Sequence, residues 1–170
     1  MVLKNQKWNK VLELIFNNPD RPFTIREISK QTKVPTTTVQ RYLKELKRDK
    51  INYFLDKENR FIYHPYSKFL KTYFIINNLY KSGLIDYLSS KLNPSLIILF
   101  GSVRKGEYDK DSDIDIFIET TVKKELNLKE FEEELNHKID LFIESDIKKV
   151  NKNLFNNIIN GIKLVGYLKI

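Results

Sequence analysis

Apolar side chains at Trp8, Val11, Leu12 and Ile15 follow an i, i+3, i+4, i+7 series that stops before Pro19, which predicts a first helix over residues 8–18. Thr24 followed three residues later by Glu27 is a capping box, with Phe23 and Ile28 in the staple positions, so a short second helix begins at Ile25. Lys33-Val34-Pro35 turns the chain, and Thr36 is placed to cap a third helix that reaches Arg48 and buries Val39, Leu43 and Leu46. Residues 51–55 and 60–64 are strand-like runs around Asp56-Lys57-Glu58-Asn59, the pattern of a hairpin with a four-residue loop.

From residue 66 to about residue 91 the pattern is helical again, with a break at Gly83. Tyr66, Phe69, Leu70, Tyr73, Ile76 and Tyr80 fall on one side, expected as a stripe buried against the same chain, with a homodimer contact as the alternative use of so many aromatics. Residues 95–100, apolar and bounded by Pro94 and Gly101, read as a buried strand. Residues 101–106 read as a loop, 113–118 as a second strand, 138–143 as a later strand, 146–159 as a helix and 161–168 as a last strand. No internal repeat and no low-complexity tract is expected, and with only 5 Gly and 5 Pro each break in the pattern carries weight.

Composition narrows the chemistry. The 170 residues contain no cysteine, which excludes disulfides, thiolate nucleophiles and thiolate metal sites, and only two histidines, His64 and His137. A bound metal would therefore be held by oxygen. The longest apolar run, residues 96–100, is far short of the roughly 20 residues that cross a bilayer, so no membrane association and a cytoplasmic location are expected. The net charge of +8 is unevenly placed: residues 1–66 hold 14 Lys and Arg against 7 Asp and Glu, and residues 67–170 hold 16 against 15. This division predicts two modules, the first facing a polyanion such as nucleic acid.

Side chains alternate faces along a strand, so Asp113 and Asp115 point the same way about 7 Å apart, while Ile114, Ile116 and Ile118 enter the core. Two carboxylates on one exposed face repel each other unless a cation sits between them, and oxygen ligands at this spacing suit Mg²⁺ together with substrate phosphates. A calcium loop built on Asp109, Asp111, Asp113 and Asp115 is set aside, because its sixth and twelfth positions would be Ile114 and Thr120 in place of Gly and Glu. A P-loop is absent as well, since no Gly-Lys-Ser or Gly-Lys-Thr occurs.

Two resemblances organise these readings. Three helices, the second and third joined by a tight turn, followed by a basic hairpin, resemble a winged helix-turn-helix domain. At about 100° per residue, Thr37, Arg41, Lys44 and Arg48 lie opposite the buried stripe of the third helix. The resemblance implies that they meet double-stranded DNA, with Lys57 and Arg60 as wing contacts.

Gly101-Ser102 after an apolar strand, a ten-residue gap, and Asp113-x-Asp115 resemble the DNA polymerase β-like nucleotidyltransferases, above all the minimal nucleotidyltransferases. This implies an α+β fold: a winged helix-turn-helix domain at 1–66, a helical connector at 67–91, and a small mixed-sheet, palm-like nucleotidyltransferase domain at 92–170. In the resembled family Gly101 and Ser102 would seat a nucleoside triphosphate, while Asp113 and Asp115 would bind metal. Asp140, the acid of the later strand, would complete a catalytic and metal-binding set for two Mg²⁺ ions.

Lys105 stands where the family often has Arg and would be a nucleotide contact, without the planar fork of a guanidinium. His137, beside the later strand, is expected to be structural or exposed. The implied activity is transfer of a nucleoside monophosphate, AMP from ATP, to a hydroxyl. A HEPN-type toxin is the partner acceptor that the resemblance suggests, which makes the chain antitoxin-like. The alternative is a DNA-binding regulator in which the transferase fold senses nucleotide or binds a partner.

Overall fold

The side chain of Asn5 accepts a hydrogen bond from the Trp8 amide and so starts α1 (Gln6–Asn17), whose Trp8, Val11, Leu12, Ile15 and Phe16 are buried. The computed structural model describes residues 5–48 and 55–168, with the backbone alone at Arg48. α2 (Ile25–Thr32) opens on the reciprocal Thr24–Glu27 box, with Phe23 and Ile28 both buried beside it. It ends at Lys33, which takes the left-handed conformation. α3 (Thr36–Arg48) begins one residue earlier than expected. The Pro35 carbonyl accepts from the Thr38 and Val39 amides, so Thr36 lies inside the helix and does not cap it.

The expected strand at 51–55 lies outside the described residues except for Leu55, which bridges Phe61 antiparallel. Asp56 organises the turn between them, accepting from the Glu58 and Arg60 amides, and Asn59 takes a positive φ of 61°. This turn is tied to the segment after α1. The Phe23 amide donates to the Glu58 carbonyl at 3.0 Å, the Phe61 amide to that of Pro19 at 3.1 Å, and the Asn59 side chain to that of Phe23 at 2.7 Å.

α4 (Pro65–Lys81) follows, and the two compact units of the chain divide within it, between Phe74 and Ile75. The expected buried stripe is corrected here. Leu70, Phe74, Ile75 and Leu79 are buried, whereas Tyr66, Phe69, Tyr73 and Tyr80 are exposed. Two adjacent stripes of this helix have apolar spacing, and the aliphatic-rich one is turned inward. Phe69 packs instead against its own helix neighbours Tyr66 and Tyr73.

In the second unit α5 (Leu84–Leu92) buries Leu84, Ile85, Leu88 and Leu92. Then come β1 (Leu96–Leu99), α6 (Gly101–Lys105), β2 (Ile114–Glu119), α7 (Lys129–Leu135), β3 (Ile139–Glu144), a 3₁₀ turn Ile147–Lys149, α8 (Lys152–Ile159) and β4 (Ile162–Gly166). The sheet order is β3-β2-β1-β4, with β1 antiparallel to both neighbours and β2 parallel to β3.

Three expectations change. Residues 101–105 form a short helix, not a loop: Gly101, at φ 71°, turns the chain out of β1, and Gly106, at φ 68°, closes the helix in the left-handed region. Residues 146–159 divide into the 3₁₀ turn and α8, because Val150 and Asn151 are extended and Asn151 caps the second helix. α7 is an additional element. Its sequence, Lys-Glu-Phe-Glu-Glu-Glu-Leu, offers only the i, i+4 pair Phe131 and Leu135, with Leu135 buried and Phe131 against the Tyr87 ring, but two parallel strands need a crossover of a dozen or more residues, normally helical.

The sheet also contains a short repeat where none was expected. β2 reads Ile-Asp-Ile-Phe-Ile-Glu and β3 reads Ile-Asp-Leu-Phe-Ile-Glu, and the two pair residue for residue from Ile114 opposite Ile139 to Glu119 opposite Glu144. Leu96, Ile98, Phe100, Phe117, Ile147 and Ile158 form a buried cluster, with Phe142, Leu154 and Phe155 packed on it. Because Phe117 shares the parity of Asp113 and Asp115, the face that carries the acids is open only at its start and is covered from Phe117 onward.

Candidate active site

The acids meet at the point where β1 ends and β2 begins. Asp115 stands opposite Asp140 in the parallel ladder, on strands about 4.8 Å apart. Asp113 lies two residues earlier on the Asp115 side; Asp113 and Asp140 are exposed and Asp115 is half-buried. Partial burial pushes the Asp115 carboxyl above the ordinary carboxylate range, and the charges of Asp140 and then Asp113 push it further. Asp115 is therefore within electrostatic reach of both other carboxylates.

Gly101 closes this site on one side. The Phe100 amide donates to the Asp115 carbonyl at 3.0 Å, which brings the end of β1 against β2. A Cβ at residue 101 would overlap the Asp115 side-chain carboxylate, and φ of 71° is itself a conformation that disfavours a side chain. Ser102 follows in the first turn of α6, whose N-terminus has no side-chain cap, and Lys105 is exposed in its last turn. The structure thus brings Gly101 and Ser102 to the same strand end as Asp115 and Asp140.

Among the described residues no three His, Cys, Asp or Glu side chains are gathered into a ready metal-binding group. The donors at the strand ends are nonetheless all carboxylate oxygens, and the half-buried Asp115 carboxylate, disfavoured first by burial and then by the charges of Asp140 and Asp113, is one that a divalent cation would stabilise. The residues fit a hard cation held jointly with a phosphate-bearing ligand.

The loop from α6 to β2 is itself ordered by side chains. Asp109 accepts from the Asp111 amide and the Ser112 hydroxyl, and Ser112 Oγ accepts from the Asp109 amide. Tyr108 is fully buried, and its ring meets that of His137 edge to face at 5.6 Å. His137, expected to be structural or exposed, is buried at 5% exposure, with Nδ1 2.8 Å from the Ser112 carbonyl oxygen. Composition and spacing carry no signal for this contact, whereas the hexapeptide match to β2 was available as a signal for Asp140.

In the first unit Thr37, Arg41 and Lys44 are exposed on α3, and the Arg41 guanidinium lies 5.5 Å from the Tyr42 ring. The Arg48 side chain lies outside the described residues. Lys57 is exposed at the turn, while Arg60 pairs with Asp56 at 2.7 Å and Glu58 at 3.3 Å, so its charge is met inside the turn. Among the described residues no helix is long and apolar enough to cross a membrane.

No curated protein matches the chain. Residues 81–164 match the family model of the nucleotidyltransferase domain, the domain of enzymes that transfer nucleotidyl groups, and the match takes in Gly101, Ser102, Lys105 and all three carboxylates.

Proposed function

We propose that the second unit transfers a nucleoside monophosphate, AMP from ATP, to a hydroxyl acceptor. The observation that carries this reading is the in-register opposition of Asp115 and Asp140, with Gly101 packed on the Asp115 carboxylate. Gly101 and Ser102 would hold the β and γ phosphates through backbone N–H groups and the Ser102 hydroxyl, with Lys105 adding positive charge. Asp113, Asp115 and Asp140 would hold Mg²⁺, which when bound neutralises phosphate charge and acidifies the attacking hydroxyl.

The acceptor oxygen forms its bond to the α phosphorus as the bond from that phosphorus to the bridging oxygen breaks. Pyrophosphate leaves with the electron pair. The acceptor proton passes to Asp140, which like Asp113 is exposed, and from there to solvent. Catalysis of this kind needs positioning and electrostatics from the protein and no covalent intermediate. The test is nucleotide cleavage by the full chain in Mg²⁺ with alanine variants of the three acids.

The exposed row Thr37, Arg41 and Lys44 on α3, in the part of the chain with excess positive charge, favours a second activity in the first unit. We propose that this unit binds double-stranded DNA in the manner of a winged helix-turn-helix domain, with α3 in the major groove and Lys57 near phosphate. Its test is the salt dependence of DNA binding.

A further inference from the structure

We propose that His137 is a positioning residue that sets Asp113 against Asp140, and through them the cation affinity of the site. The proposal rests on the transferase reading above. Asp113 is exposed and lies just before the regular ladder of β2, so strand pairing alone does not fix it. Two hydrogen bonds bracket it. On its C-terminal side the Ile114 amide donates to the Lys138 carbonyl at 2.8 Å, and on its N-terminal side the Ser112 carbonyl meets His137 Nδ1 at 2.8 Å. Both partners belong to the dipeptide that leads into Ile139-Asp140. Asp113 is therefore tied at both flanks to the segment that delivers Asp140.

The two ties differ chemically. Any residue at position 138 supplies the carbonyl, but only a donor side chain at position 137 can reach the Ser112 oxygen. That oxygen only accepts, so the contact places a proton on Nδ1. The imidazole is held from other directions as well. It is nearly inaccessible and lies edge to face with the fully buried Tyr108, which anchors the same α6–β2 loop. The strand end behind it is fixed separately, since Glu132 of α7 accepts from the Ile139 amide at 3.1 Å. A buried donor just ahead of a fixed strand thus holds a loop carbonyl, and the loop carries a carboxylate next in the chain.

The test uses the full chain with His137→Ala and His137→Asn, because the Asn amide nitrogen can replace Nδ1 as donor. Mn²⁺ binding is titrated by the loss of the free-ion paramagnetic signal. Hydrogen exchange at the Ile114 amide is read in metal-free protein, alongside melting temperature. His137→Ala should weaken Mn²⁺ binding by about tenfold or more, as for groups that orient a metal ligand, and speed exchange at the Ile114 amide, which the Lys138 carbonyl protects. His137→Asn should restore both.

Wild-type Mn²⁺ affinity in a folded His137→Ala protein overturns the proposal, as does a His137→Asn protein as impaired as the alanine variant. Where His137→Ala does not fold, His137→Asn decides: wild-type affinity and exchange support the proposal, and weakened binding overturns it. Failure of the wild type to take up Mn²⁺ would sink the transferase reading instead. Exchange would then judge His137 alone, and unaltered exchange at Ile114 in a folded His137→Ala protein would overturn its positioning role.

Discussion

Asp115 and Asp140 face each other across a parallel pair of strands, each the second residue of a nearly identical hexapeptide. Parallel pairing in register puts equivalent positions at equal height, so one strand end receives two acids and the covered part of the same face receives two phenylalanines, Phe117 and Phe142. The acids are thereby left where the hydrophobic layer stops.

This opposition costs stability in the absence of a cation. Burial, Asp140 and Asp113 raise the Asp115 pKa above its ordinary 3.8, so the folded state binds a proton more readily than the unfolded chain. The penalty is full at neutral pH and is relieved as pH falls through the folded-state value toward the ordinary one. In metal-free protein Asp115→Asn should therefore melt higher than wild type at neutral pH, and the gap should close on acidification. Thermal melts at a series of pH values check this, and a gap that widens toward acid would contradict it.

Gly101→Ala should be damaging for two separate reasons. The left-handed backbone costs a residue with a side chain about 1–2 kcal/mol, and the new methyl overlaps the Asp115 carboxylate. Urea unfolding should show at least that loss. Gly83→Ala is the control, since it also has a positive φ, 77°, but a Cβ there meets nothing within 4 Å. It should lose only the backbone part.

The charge pattern of the first unit predicts a salt-dependent interaction. If Arg41 and Lys44 each neutralise a DNA phosphate, the double substitution Arg41→Ala, Lys44→Ala should lower the slope of log affinity against log salt by about 2. Arg60→Ala should change it far less, because Asp56 and Glu58 already engage that guanidinium. A salt-titrated DNA shift measures both.

The parts of the fold legible in the sequence were those set by local chemistry. The α2 box shows in Thr24 and Glu27, and α1 in the spacing of Trp8, Val11, Leu12 and Ile15. Asp113 and Asp115 could be paired because strand alternation is a local rule. What was not legible depended on partners distant in sequence.

Tyr66, Phe69 and Tyr73 have the spacing of a buried stripe but are outcompeted by the aliphatic stripe beside them. α7 offers only the pair Phe131 and Leu135, too short a stripe to announce a helix, and it occupies the crossover that parallel β2 and β3 require. The bond from His137 to Ser112 spans 25 residues and carries no periodic signature. Asp140 lies between: a lone acid in an apolar run is weak by itself, yet its hexapeptide repeats that of β2.

The most direct test of the three-acid site follows cleavage of ATP labelled at the α phosphate, with Mg²⁺ present and water standing in for the unidentified acceptor. The wild-type chain should release AMP and pyrophosphate, and Asp113→Ala, Asp115→Ala and Asp140→Ala should each lower that rate by at least about 10²-fold, the scale of one preorganised electrostatic contact. Full cleavage by all three variants, or release of ADP and phosphate instead of AMP and pyrophosphate, would contradict it.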